Sequence, residues 1–380
     1  MDEFEVKKFY KNNKSYCAMP FKEIYADNAG RYKLCCHAKP MKELDKYRTK
    51  NTPPFKYFLS NEMEEVRNKM LSGEKIDACK VCYRLEENGE SYRTAKYRKK
   101  YGVDLEPVGI GLKLRIHGSY CNLGCYMCHP YNSSTRRKEI TNVFGKNSSW
   151  NQWEKYQSLN YAQWNEIVDD ILDNIDKVAY MNITGGEPLQ LPGHWKLLDM
   201  IPDEYAKNIE LSYDTNLTEL SFKKWSIFDY VKKFKKIYLG VSCDHYGDKL
   251  SWIRYPIDVK KFEENLVKAK SLIKQINCTV SLLNIFDLDD IGKYYNDKFD
   301  LKVTFHNIVR GPEFLSIKNL TQAHKDLVIE KYKNIKAYSY IQDEITKKPT
   351  HNYTKLKAYC DKLSEHRKLY WRELWNEFGN

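Results

Sequence analysis

Apolar residues recur along this chain with two different periods, and the changes of period mark its elements. Residues 110–116 read IGLKLRI, alternating as a half-buried strand does. Trp164, Ile167, Val168, Ile171, Leu172 and Ile175 fall at spacings of three and four, the pattern of a helix buried along one face. Strands are predicted again at 178–183, 209–213 and 237–242. Val259, Phe262, Leu266, Ala269 and Ile273 predict a second such helix, and 278–285 and 301–309 two more strands. Strands alternating with helical segments predict an α/β fold built on a parallel sheet or an open barrel. Before this region strand runs are weak, and residues 62–71 read as one short amphipathic helix stopped by Ser72-Gly73.

This patterning divides the chain into a small first domain over 1–105, the strand–helix region over 106–318 and a helical extension over 319–380. The first domain has thin apolar content for an independent core, so a bound metal is its natural organiser. It holds Cys17, Cys35, Cys36, Cys79 and Cys82 of the eleven cysteines. No apolar run reaches membrane-spanning length. The start, MDEFEVKKFYKNNK, lacks the apolar core of a signal peptide, so a cytoplasmic location and no membrane partner are expected. In such a reducing compartment, clustered cysteines bind metal more often than they pair.

Cys121, Cys125 and Cys128 are spaced C-x3-C-x2-C. Three thiolates so close together can hold three irons of one cubane, and the next cysteine is the distant Cys243. One iron is left open to a ligand; alternatively His129 closes the set as a structural zinc site. The triplet follows the first predicted strand of the repeating region. After the second comes Thr184-Gly185-Gly186-Glu187-Pro188, after the third Asp214-Thr215-Asn216, and after the fourth Ser242-Cys243-Asp244. Sites in barrels and parallel sheets form at these strand ends.

The triplet CNLGCYMC resembles the signature of the radical S-adenosylmethionine (SAM) superfamily. The resemblance implies a partial (β/α)6 barrel and a 4Fe–4S cluster whose open iron is chelated by SAM. Reductive cleavage of SAM there yields a 5′-deoxyadenosyl radical that abstracts hydrogen from a substrate. It also implies that Gly185, Gly186, Glu187 and Pro188 receive the SAM amino group, and that Ser242, with Asp244 in the same motif, meets the ribose. Arg254 would pair with the SAM carboxylate, and Met127, with Tyr126 beside it, would meet the adenine. Thr215-Asn216 resembles a Thr-Asn-Gly turn in which Leu217 stands for the glycine.

Cys17, Gly30 and Cys35 are spaced C-x12-G-x4-C, which resembles the opening of the SPASM and twitch modules of many radical SAM enzymes. With Cys79 and Cys82 they make a four-thiolate set for a second, auxiliary 4Fe–4S cluster, in the shorter twitch form and here ahead of the barrel. Cys36 competes with Cys35 for one position, and a four-cysteine zinc site is the alternative. Cys278 reads as packed strand core. Cys36, Cys243 and Cys360 are candidate hydrogen-atom donors, and His117, His129 and His245 read as polar loop residues.

The resemblance implies a radical SAM enzyme acting on a peptide or protein, with an electron donor such as a flavodoxin or ferredoxin. Radical modification of a nucleotide, nucleic acid or sugar is the alternative, suited by the net charge of +12. A zinc-stabilised nucleic-acid-binding protein without catalysis is the reading from a different class. The excursion at 131–160, with Arg136, Arg137, Lys138, Trp150 and Trp153, is either a contact for an anionic or aromatic substrate or an ordinary surface loop.

Overall fold

The structure is a computed structural model that describes residues 2–27, 29–87, 89, 91–116, 118–146, 161–333, 339–351 and 353–375. His117, Trp150 and Trp153 lie outside the described residues. The chain forms two compact units, one of Met1–Gly118, Lys155–Tyr213 and Ile227–Ile237, the other of Ser119–Glu154, Asp214–Ser226 and Tyr238–Asn380. These units cut the chain differently from boundaries at 105 and 318.

In the first unit β1 (Glu23–Ala26) and β2 (Tyr32–Lys33) form an antiparallel hairpin. β1 also pairs in parallel with β3 (Ile110–Leu114), and β3 with β4 (Val178–Ile183). β4 in turn pairs with β5 (Glu210–Thr215). Residues 1–105 therefore contribute two short strands to the main sheet, which the sequence pattern did not show. A four-residue strand, EIYA, is too short to display an alternation. Ile24, Ala26, Ile110, Leu112 and Leu114 are buried on one face, as the two-residue period requires. The predicted helix at 62–71 is Asn61–Leu71, capped by the Ser60 hydroxyl, with Met63, Val66 and Met70 buried.

In the second unit β6 (Ser221–Phe222) and β7 (Trp225–Ser226) form a short hairpin. β8 (Lys236–Ser242), β9 (Ile273–Val280) and β10 (Val303–Ile308) run parallel in the order β8–β9–β10. Two boundaries differ from expectation. The predicted strand at 278–285 starts at Ile273 and ends at Val280, and the helix before it stops at Lys268. Residues 281–285, among them Leu282, Leu283 and Ile285, are buried without being extended. They form a turn in which Ser281 N donates to Asn284 Oδ1 at 2.8 Å. The C-terminal stretch is helical as expected, at Gln322–Tyr332, Ser339–Ile345, Tyr353–Arg367 and Trp371–Leu374. Apart from two hairpins every strand pair in these units is parallel, so the fold is α/β with a mostly parallel sheet, consistent with a partial barrel. Among the described residues no helix is long and apolar enough to cross a membrane.

The strongest polar packing lies inside the second unit. Glu139, on the helix Ser134–Phe144, is buried between Arg136 and Arg367. Arg367 Nε donates to Glu139 Oε1 at 2.6 Å and Nη2 to Oε2 at 2.9 Å. Burial alone raises the Glu139 pKa, but Arg367 and Arg136 outweigh it and hold the carboxyl below its usual value of 4.5. Because the folded pKa is depressed, the stabilisation is present at neutral pH and is lost as pH falls through the folded value. Arg367→Met should cost about 3 kcal/mol, since it strips one partner from a buried ion cluster. Urea unfolding at neutral pH checks this. In Glu139→Gln, the acid side of the stability profile below about pH 4.5 should flatten.

Candidate cluster and cofactor site

The three cysteines sit on a loop without regular structure, so its backbone groups need partners from elsewhere. They find them within the second unit. Cys121 O accepts from Thr135 Oγ1 at 2.7 Å, and Leu123 O from Ser133 Oγ at 2.6 Å. Gly124 O accepts from Arg367 Nη2 at 2.7 Å, and Tyr126 O from Arg136 Nη2 and Tyr359 Oη, both at 2.7 Å. Gly124 N and Tyr126 N donate to Tyr255 O and Ile253 O. The carbonyls are thus fixed by buried side chains, and the thiols are left to face other groups.

Two of those groups are donors. Asn216 Nδ2 lies 3.8 Å from Cys121 Sγ, and Arg254 Nη1 lies 3.8 Å from Cys125 Sγ. Burial pushes the Cys125 thiol up, and Arg254 pulls it down. Arg254 is held by Asp244 at 2.7 Å, and Asp244 Oδ1 accepts from Thr279 N at 2.8 Å. Burial lowers the Arg254 pKa, but Asp244, Cys125 and Cys243 raise it overall, so the guanidinium stays charged. Asn216 is fixed by Asn122 Oδ1 at 3.0 Å and by Thr218, whose N–H and hydroxyl donate to its Oδ1. In this turn Leu217 has φ 54°, the left-handed region where the Thr-Asn-Gly pattern has its glycine. Leu217 is buried, so packing offsets a conformation unfavourable to a branched side chain.

Met127 and Cys128 line a cavity of about 600 Å³, shared with His129, Pro312, His351 and Lys355. Tyr126 is instead a core residue, packed on Trp252 at 5.5 Å and donating to Ser281 Oγ at 2.6 Å. Ser242 ends β8 and is half-buried.

Gly185 to Pro188 follow β4 in the first unit. Gly185 has φ 154°, and a Cβ there would meet Gly118 O at 2.9 Å, so only glycine fits. Gly186 N donates to Gly118 O at 3.3 Å. Glu187 is buried, and its Oε1 accepts from Leu189 N at 3.2 Å, capping the turn Pro188–Gln190.

The amino-terminal cysteines lie within electrostatic reach of one another in the first unit. Burial pushes the Cys17 thiol well up, and so do Cys35, Cys79 and Cys82, each within electrostatic reach of it. Cys79 is pushed up to about 12 by burial and by Cys35 and Cys82, with Arg93 opposing. Burial also raises Cys82, against hydrogen bonds from Arg93 N and Ser91. Gly30 makes the hairpin that brings Cys35 back. It has φ 69°, and a Cβ there would sit 2.5 Å from Thr49 Oγ1. Cys36 is exposed, 3.9 Å from Tyr97 Oη.

The excursion residue Arg136 is not a surface cation. It is buried in the cluster with Glu139, because its guanidinium serves the backbone of the cysteine loop. Arg137 reaches Ser119 Oγ at 3.0 Å. Cys278 is packed in β9 as expected. Cys243 and Cys360 are also buried, and Cys243 Sγ lies 3.0 Å from Tyr295 Oη. His245 lies on the loop after β8 as expected, and there it is a buried partner of Asp287 at 2.8 Å, which Lys249 also pairs. His129 caps the turn Pro130–Asn132. Sequence reading missed Asn122, Glu139, Tyr359 and Arg367, which, apart from the Arg136–Glu139 pair, act through residues remote in the chain.

Among the described residues no group of three or more His, Cys, Asp or Glu side chains is arranged to hold a single metal ion. A cubane makes a different demand, because each thiolate takes a different iron and the sulfurs need not converge on one point. The donor chemistry fits such a group. Both cysteine sets are thiols in buried or half-buried settings, each with a nitrogen donor or guanidinium placed to offset anionic sulfur.

Residues 116–295 match the family model of the radical SAM superfamily. The chain carries a radical SAM domain, which makes it an enzyme of SAM radical chemistry and implies a 4Fe–4S cluster and SAM. Among solved structures it is similar to anSMEcpe with bound AdoMet, at 20% identity and TM-score 0.39, over 58% of this chain and 62% of that one. It is similar to the same protein with AdoMet and a peptide bound, at 21% and 0.38, over 59% and 61%. It is also similar to TYW1 with a lysine-pyruvate adduct bound, at 13% and 0.33, over 73% and 90%. The matches thus span less than two thirds of the first two chains, and likenesses this weak do not bear on substrate. No curated protein matches the sequence.

Leu217→Gly separates conformation from packing in the Asn216 turn. Removing the left-handed strain should gain about 1 kcal/mol, whereas emptying a buried leucine site costs about 3 kcal/mol or more. The variant should therefore be less stable by denaturant unfolding. Unchanged or raised stability would show that strain outweighs packing there.

Proposed function

We propose that the chain is a radical SAM enzyme whose SAM-binding cluster is held by Cys121, Cys125 and Cys128, and which abstracts hydrogen from a peptide or protein substrate. The observation that supports this most is the pair of nitrogen donors, Asn216 and Arg254, set 3.8 Å from two of the three cysteine sulfurs. When bound, the cluster and SAM supply the one-electron chemistry. The chain's own residues position and shield them. Arg254, its guanidinium fixed by the buried Asp244, offers N–H donors for the SAM carboxylate. Met127, on the cavity wall beside Cys128, is placed for the adenine. Ser242 and Asp244 belong to the ribose end, Asn216 to the cluster edge, and Gly185, Gly186, Glu187 and Pro188 to the SAM amino group.

Cys17, Cys35, Cys79 and Cys82 would hold the auxiliary 4Fe–4S cluster of a twitch-like module. Their mutual electrostatic contact supports this set, and the exposure of Cys36 favours Cys35. A cluster with four cysteine ligands has no open iron, so it is suited to passing an electron rather than binding SAM. The peptide reading rests on the likeness of this spacing to SPASM and twitch modules. The electron donor would be a flavodoxin or ferredoxin.

Anaerobically reconstituted protein with a strong reductant should convert SAM to 5′-deoxyadenosine and methionine, and Cys125→Ala should abolish the product. Cleavage at the wild-type rate by Cys125→Ala would falsify the ligand assignment. A variant with Cys121, Cys125 and Cys128 all changed to Ala should keep about half of the iron, as two clusters of equal size require. Retention of zinc in place of iron would overturn the auxiliary cluster alone.

A further inference from the structure

The β8–β9–β10 sheet of the second unit has two unlike faces. Leu239 and Val241 on β8 and Ile276, Cys278 and Val280 on β9 are buried on one. The other is polar and half-buried, with Ser242 on β8, Gln275, Asn277 and Thr279 on β9, and Thr304 on β10. None of these polar side chains carries a charge.

Two of them are locked head to head. Gln275 Nε2 donates to Asn277 Oδ1 at 2.7 Å and to Thr304 Oγ1 at 3.3 Å, so both of its hydrogens are spent. Thr304 Oγ1 in turn lies 3.1 Å from Asn277 Oδ1 as a donor. The outer atom of each amide is uncommitted. Gln275 Oε1 and Asn277 Nδ2 have no partner among the described residues, and neither is closed off from solvent. One fixed acceptor and one fixed donor therefore flank a single hydrogen bond of 2.7 Å.

We propose that this amide pair binds the main chain of an extended peptide, its donor taking a carbonyl and its acceptor an N–H. The inference rests on the reading of the substrate as a peptide or protein. An extended residue offers its own N–H and C=O on the same side. Gln275 and Asn277 stand two residues apart on one strand, about 7 Å, which is also the repeat of a second extended chain beside it. Contacts of this kind read the main chain and leave the side chains of the substrate to other groups. A phosphate or carboxylate would bring its charge to side chains that offer none to offset it. Asn277 is the β9 partner of Ser242, so the pair stands one strand spacing, about 5 Å, from the residue proposed for the SAM ribose.

A saturation-transfer NMR titration of the cluster-loaded full chain, kept anaerobic and without reductant, should show saturable binding of N-acetyl-trialanine methylamide. The all-ester analogue built from lactate keeps the carbonyls but has no N–H, and should bind about tenfold or more weakly. Asn277→Asp keeps the oxygen that Gln275 and Thr304 engage and removes the outward donor, so it should weaken the peptide by a similar factor. Saturating SAM should leave the peptide bound. Absence of saturable binding overturns the site, as does equal affinity for peptide and ester, a comparison that needs no variant. Wild-type affinity in Asn277→Asp overturns the assignment to this pair, and displacement of the peptide by SAM would give the pair to the SAM ribose instead. The peptide reading itself fails on a different result, hydrogen abstraction from a nucleotide or sugar while the tripeptide still binds this face.

Discussion

The buried cluster of Arg136, Glu139 and Arg367 is the constraint on which the second unit depends. The loop that carries Cys121, Cys125 and Cys128 spends none of its backbone on a helix or a sheet. Its carbonyls must still be paired, because an unpaired buried peptide group costs about as much as a lost hydrogen bond. Arg367 and Arg136 meet that demand at Gly124 and Tyr126 while neutralising Glu139 between them. The cluster joins the helix after the cysteine loop to one of the last helices of the chain. The C-terminal helices are thus part of the scaffold of the loop.

The groups that touch sulfur are held in the same manner. Asn216 is fixed within a ring of hydrogen bonds with Asn122 and Thr218, and Arg254 by a buried carboxylate. Neither is free to swing away. A preorganised donor costs no reorientation when charge changes nearby. Leu217 shows the same priority, keeping a left-handed backbone that Asn216 needs and offsetting it by burial.

In the first unit the geometry that gathers cysteines rests on turns. Gly30 closes the β1–β2 hairpin where a methyl group would strike Thr49. Arg93 is buried against Glu86 and lies close to Cys79 and Cys82, so it both ties the segment down and moderates the thiols. The same unit joins these residues to the sheet through β1. The cysteine-rich segment has a core cluster of its own, of Val6, Tyr10, Tyr16, Ala18 and Phe21, and is joined to the sheet as well.

The cysteine spacings, the glycines at 30, 185 and 186 and the alternation in β3, β4 and β8 were legible in the chain, because each depends on residues close in sequence. Those local patterns determined the α/β class, the superfamily and the positions of the candidate ligands. Tertiary structure alone decided the rest. A four-residue strand such as β1 has no period to read, and the apolar 281–285 turn looks like a strand until its neighbours are known. Arg136 reads as surface charge in the chain, yet it is buried, because its partners Tyr359 and Glu139 meet it only after folding. Pairing energies act through space, and a sequence lists neighbours only along the backbone.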